Sequence, residues 1–95
     1  MAKPEKTSIK TLHVVQPFER TGKGKEQVRP AQAYQANDAG SAIRKAQRLN
    51  DKIVGAVAFS RTGDIKTGEF ADAVILGIYG TIPEEALDAI REGVA

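Results

Sequence analysis

Apolar side chains recur with a period of two in residues 9–18: Leu12, Val14 and Phe18 share one face, with Gln16 interrupting, while Thr11, His13 and Val15 share the other. That pattern predicts a strand. Pro17 has no N–H to give a central ladder, so the strand is expected at a sheet edge, or to end there. Residues 20–26 set Gly22 and Gly24 among Lys and Arg and read as a flexible basic turn. Residues 27–35 read as weakly extended, with Val28 and Tyr34 as anchors and Pro30 blocking a helix.

The period then changes. Ala39, Ala42, Ile43, Ala46 and Leu49 recur at helical spacing behind Asn37 and Asp38, either of which can cap the first amides, and Asn50-Asp51 stop the pattern. Residues 53–60 are apolar on both faces, with Ile53, Val57 and Phe59 on one and Val54, Ala56 and Ala58 on the other. Residues 61–68 carry Gly63 and Gly68 and read as a hairpin loop. Residues 69–79 follow with Phe70, Val74, Leu76 and Ile78 on one face and Ala71, Ala73, Ile75 and Tyr79 on the other. Thr81-Ile82-Pro83-Glu84 fits a capping box, and Ala86, Leu87, Ile90 and Val94 form the stripe of a last helix ended by Gly93.

The resulting order is ββαββα. It predicts an α+β fold: an antiparallel sheet of about four strands, with residues 53–60 and 69–79 innermost and two helices packed on one face. Residues 1–8 are expected to form a flexible tail and residues 9–95 a single domain. Of the 22 Leu, Ile, Val and Phe residues, 14 lie in residues 53–95, so the second half is expected to be the structural nucleus. Two doubly apolar strands exceed what two short helices on one face can cover, and a homodimer partner would supply the second cover.

An internal similarity bears on the architecture. Phe18-Glu19-Arg20-Thr21-Gly22 matches Phe59-Ser60-Arg61-Thr62-Gly63 at four of five positions, and Ala42-Ile43-Arg44 matches Ala89-Ile90-Arg91. A duplicated ββα unit about a pseudo-two-fold axis would produce both matches. Their offsets, 41 and 47, are unequal, and chance similarity between two Gly-containing hairpins is the competing explanation.

Composition narrows the chemistry. At 95 residues no stretch approaches the ~20 apolar residues that span a bilayer, and the N-terminus lacks the apolar core of a secretory signal, so a cytoplasmic, soluble protein is expected. Without Cys and with a single His, neither a disulfide framework nor a thiolate or imidazole-rich metal site is expected, and no cofactor is implied. The net charge of +2 hides an asymmetry: residues 1–52 hold eleven Lys and Arg against five acids, residues 53–95 three against seven. Arg44, Lys45, Arg48 and Lys52 fall on one side of the predicted first helix, and with Lys23, Lys25 and Arg29 they are the candidate residues for binding an anion or nucleic acid. The loop around Lys23 is not a P-loop, because the GxxxxGK[ST] pattern is absent.

His13 is the one side chain whose ordinary pKa lies near neutrality. No adjacent Ser or carboxylate marks a triad, although Asp64, Glu69 and Asp72 are candidate orienters, with Arg61 or Lys66 as partners for Asp72. The favoured expectation is a small non-catalytic interaction or regulatory module acting through its sheet surface or a dimer interface. The alternative is nucleic-acid or polyanion binding, and a small enzyme built on His13 is a third.

Overall fold

The computed structural model describes residues 8–22 and 27–92. The elements are β1 (Ile9–Arg20), β2 (Val28–Pro30), β3 (Tyr34–Ala36), α1 (Ala39–Ala46), β4 (Ile53–Asp64), β5 (Glu69–Phe70), β6 (Val74–Gly80) and α2 (Glu84–Arg91). β1 and β4 pair antiparallel along nearly their whole length, from Ile9 opposite Asp64 to Glu19 opposite Ile53. On the outer side of β1 lie β2 and β3, and on the outer side of β4 lie β5 and β6, so six strands fill four positions of one antiparallel sheet. The fold is α+β in the expected order, with each flanking strand split in two.

β1 is central, contrary to the expectation drawn from Pro17. The Pro17 carbonyl accepts from the Ala31 N–H at 2.9 Å, and in a strand the N–H and C=O of one residue point the same way. The missing N–H therefore faces the break between β2 and β3 and costs the β1–β4 ladder nothing. Gln16, the polar intruder on an apolar face, serves this gap: its Nε2 donates to the carbonyls of Pro17 at 2.8 Å and Ala31 at 2.7 Å.

Residues 69–79 do not form an innermost strand. Gly63 sits opposite Phe70 in β5, and the chain then leaves the ladder before re-entering as β6, which is an edge strand among the described residues. A bulge between Ala58 and Phe59 also breaks the expected alternation in β6. Ile75 packs with Val57 and Phe59, while Leu76 and Tyr79 pack with Ala56 and Ala58. A second irregularity, between Phe18 and Glu19, moves Ile53 to the face of Ala56.

The helices lie on opposite faces of the sheet, not on one. α1 packs Ala42 and Ala46 on Val15, Ala56 and Ala58, whereas α2 packs Ile90 on Phe18, Val57 and Phe59. One cover per face answers the problem of the doubly apolar β4 inside a single chain. It also removes the duplication: a two-fold axis relating antiparallel β1 to β4 stands perpendicular to the sheet and would carry α1 to the same face. The matched pentapeptides are correspondingly inequivalent, since Gly22 takes a positive φ of 66° after β1 while Thr62 and Gly63 are paired inside β4. The buried apolar set draws on both halves of the chain, with Val15, Phe18, Ala42 and Ala46 from the first.

Local signals held unevenly at the helix ends. Asp38 caps α1, its Oδ1 accepting from the Ser41 N–H at 2.7 Å. The capping box at Thr81 does not form: Pro83 occupies the N-cap of α2 without a side-chain bond, and the Thr81 N–H donates instead to Val54 O at 2.9 Å. That crossing requires Gly55, where an added Cβ would collide with the Thr81 carbonyl oxygen. The tail expected over residues 1–8 and the helix end at Gly93 and Val94 fall mostly outside the described residues.

Gly55→Ala is expected to destabilise the protein by about 2–3 kcal/mol through overpacking against main chain that cannot retreat. Gly68→Ala, at φ 80° but in open space, should cost only about 1 kcal/mol. Urea unfolding of both variants at matched protein concentration checks the ordering.

Candidate functional site

Two side chains of the expected basic group, Lys45 and Arg48, meet at one end of the α1 face. α1 ends at Ala46 with Gln47 as its C-cap, so Arg48 and Lys52 lie beyond the helix, and the expected four-residue basic stripe along one helix does not exist. Arg44 is exposed and folds back along α1, with a guanidinium nitrogen beside Gly40. Lys45 and Arg48 instead line a cavity of about 550 Å³. Its floor is Val15, Pro17, Ile53 and Ala56, the connection from β2 to β3 supplies Ala31 and Gln32, and β3 supplies Tyr34.

Arg29 reaches the same end of this face but is already engaged. Its Nε donates to Glu19 Oε2 at 3.0 Å, with Glu19 directly opposite in the β1–β2 register. Lys52 is exposed at the approach to β4, and its carbonyl accepts from the Arg20 N–H at 2.9 Å. Lys23 and Lys25 lie outside the described residues. The structure thus brings Lys45 and Arg48 together, sets Arg29 and Lys52 near the same end of β4, and separates Arg44 from them.

The cavity was not legible in the sequence because its walls come from separate segments, none of which carries a motif. One signal was present: Pro17 forces a break in the neighbouring strand, and that break opens the wall at Ala31–Gln32.

His13 and Ser60 are opposite one another in the β1–β4 ladder, and His13 Nδ1 lies 2.8 Å from Ser60 Oγ. A Ser–His contact is one element of nucleophilic catalysis, but a carboxylate would have to orient the ring from its other side. Of the expected orienters, the Asp64 carboxylate accepts from the Lys66 N–H at 2.8 Å, and Asp72 and Glu69 are exposed. Arg61 lies over the Phe70 ring, 5.2 Å from its centroid. His13–Ser60 is therefore a cross-strand polar pair on the ribbon, next to the Thr11–Thr62 hydroxyl pair at 2.7 Å. Among the described residues, no three His, Asp or Glu side chains gather where they would hold a metal ion, and no helix is long and apolar enough to cross a membrane.

The second feature of the molecule is an edge. β6 and its flanks, residues 73–83, contain no charged residue, and Val74 is 62% and Ile78 42% exposed. The opposite edge is built from two three-residue strands with Arg29 and Pro30 in one of them, a protected design that β6 lacks. Compared with models of known protein families, with curated proteins and with solved structures, the chain shows no significant match.

Because the Arg29–Glu19 pair is solvent-facing on the arginine side, Arg29→Gln is expected to change stability by less than about 1 kcal/mol. Thermal unfolding at low and at physiological salt measures it.

Proposed function

We propose that this chain is a non-catalytic interaction module that self-associates by strand addition, β6 of one copy pairing antiparallel with β6 of a second. The observation that carries this reading is the edge itself: seven residues, VILGIYG, uncharged, apolar and unpaired on their outer side among the described residues. An edge of that length leaves a row of main-chain donors and acceptors open to any extended partner. A second copy suits it well, because an isologous contact sets the uncharged segment against itself and buries Val74 and Ile78 of both protomers without opposing like charges directly.

Flanking charge gives the association a signature. The half of the chain that carries β6 and α2 holds three Lys and Arg against seven acids, and Glu84 and Glu85 follow β6 closely. Two such halves repel at long range, so salt should strengthen the dimer by screening. Attraction between the basic half of one copy and the acidic half of another would show the reverse dependence.

Sedimentation velocity across roughly 1–300 µM protein is expected to show a monomer–dimer equilibrium that tightens between 20 mM and 500 mM NaCl. Val74→Lys with Ile78→Lys, which installs the charges natural edge strands use to stay single, should leave a folded monomer throughout. A wild-type chain that stays monomeric over the whole range, or a dimer that the double variant leaves intact, removes the reading.

A further inference from the structure

We propose that the cavity between α1 and the β2–β3 connection binds a small amphipathic carboxylate, an apolar body of roughly ten to fifteen heavy atoms carrying one anionic group. The site lies over β1 and β4 on the α1 face, one strand in from the β6 edge, and does not rest on the self-association described above.

Its floor and walls define the apolar part of the ligand. Val15, Pro17, Ile53 and Ala56 form a continuous hydrocarbon surface on two central strands, and the pocket holds about 550 Å³. Val15 and Ala56 are themselves almost fully buried, 1% and 2% exposed, so the floor is rigid. It was built by packing the sheet, and the loss of strand pairing at Pro17 leaves Pro17 and Ile53 partly open beside that buried base.

The mouth defines the charge. Lys45 and Arg48 both line the cavity, and neither has an ion-pair partner among the described residues. No carboxylate lines it, and the nearest acid along β1, Glu19, is held by Arg29. Two cations beside an apolar floor in a half-enclosed site favour an anion more than either would on an open surface, because part of the water that screens them is displaced. Arg48 can grip a carboxylate with two parallel N–H donors, and Lys45 adds a point charge. The last turn of α1 does not supply the charge, since a helix C-terminus is the negative end of its dipole; the side chains must provide it. Gln32 and Tyr34 also line the cavity.

The test is a titration of the isotopically labelled full chain with 2-naphthoate, followed by amide chemical shifts, against the neutral analogue 2-naphthylmethanol and against inorganic phosphate. Naphthoate is expected to saturate at roughly 0.1–1 mM, shifting the amides of Val15, Tyr34, Arg48 and Ile53. The neutral analogue should bind about ten-fold more weakly, and phosphate alone should not saturate. Lys45→Gln with Arg48→Gln, both outside the packed core, should lose ten-fold or more of naphthoate affinity while keeping the wild-type spectrum elsewhere. Ala31→Phe, which fills the cavity and leaves both cations in place, should abolish binding.

Three results would overturn the proposal. They are the absence of a saturable shift, equal affinity for naphthoate and naphthylmethanol, and shifts confined to residues outside the cavity. Binding of phosphate as tight as naphthoate would overturn the apolar half of the assignment and leave a simple anion site.

Discussion

The β1–β4 ladder is the constraint on which the rest of the molecule depends. It runs the length of both strands, and the flanking strands and both helices are positioned against it. Each of its two strands contributes one side-chain row to each face. Val15 with Ala56 and Ala58 make one core, and Phe18 with Val57 and Phe59 the other. A slip of one residue in this register would exchange the two rows and present α1 with phenylalanines where it now meets alanines. The large and small rows therefore specify the register as firmly as the hydrogen bonds do.

The two faces solve their packing differently. On the α1 side, Ala42 and Ala46 meet Ala56 and Ala58, so the helix lies close to the sheet with little side-chain volume between them. Such an interface buries little area per residue and depends on nothing larger than a methyl group intruding. On the α2 side, Phe18, Phe59 and Ile90 fill a deeper space, and a cleft of about 160 Å³, half open to solvent, lies between Phe18, Pro30, Ala86 and Ile90. The first helix is thus fixed by close approach and the second by bulky side chains. That difference makes the two ββα halves structurally unlike, despite their local sequence matches.

Where a local rule had one dominant cause, the sequence disclosed the element. The Asp38 cap, the helical spacing of Ala39, Ala42, Ile43 and Ala46, and the doubly apolar run of β4 are each decided within a few residues, and each is present. Where the outcome depended on which side of a strand a group faces, the same rules failed. Pro17 reads locally as a lost donor, and only the direction of its carbonyl reveals that the loss faces the gap between β2 and β3 and not the β1–β4 ladder. The period-two reading of residues 69–79 assumed an unbroken strand, and a bulge shifted its phase. The basic side chains divided along similar lines: Lys45 and Arg48, three residues apart, both reach the cavity, while Lys52 lies beyond the helix and off the expected stripe because α1 stops at Ala46.

The cavity lies over the ladder and the edge lies beside it, one strand away, and this fixes their relation in an assembly. With neighbouring strands about 4.8 Å apart, a β6–β6 pairing would set four strand positions of each copy side by side in one sheet. The cavity sits over β1, its walls reaching from β4 to the β2–β3 connection, so two cavities would lie roughly 25 Å apart, too distant to share a small ligand. Coupling between them would have to travel through β4, whose side chains form the floor at Ala56 and the support of β6 at Val57. β4 is packed on both faces and paired on both edges, which leaves it little room for a second arrangement. The association and the binding site are therefore expected to act as separate properties of one rigid scaffold.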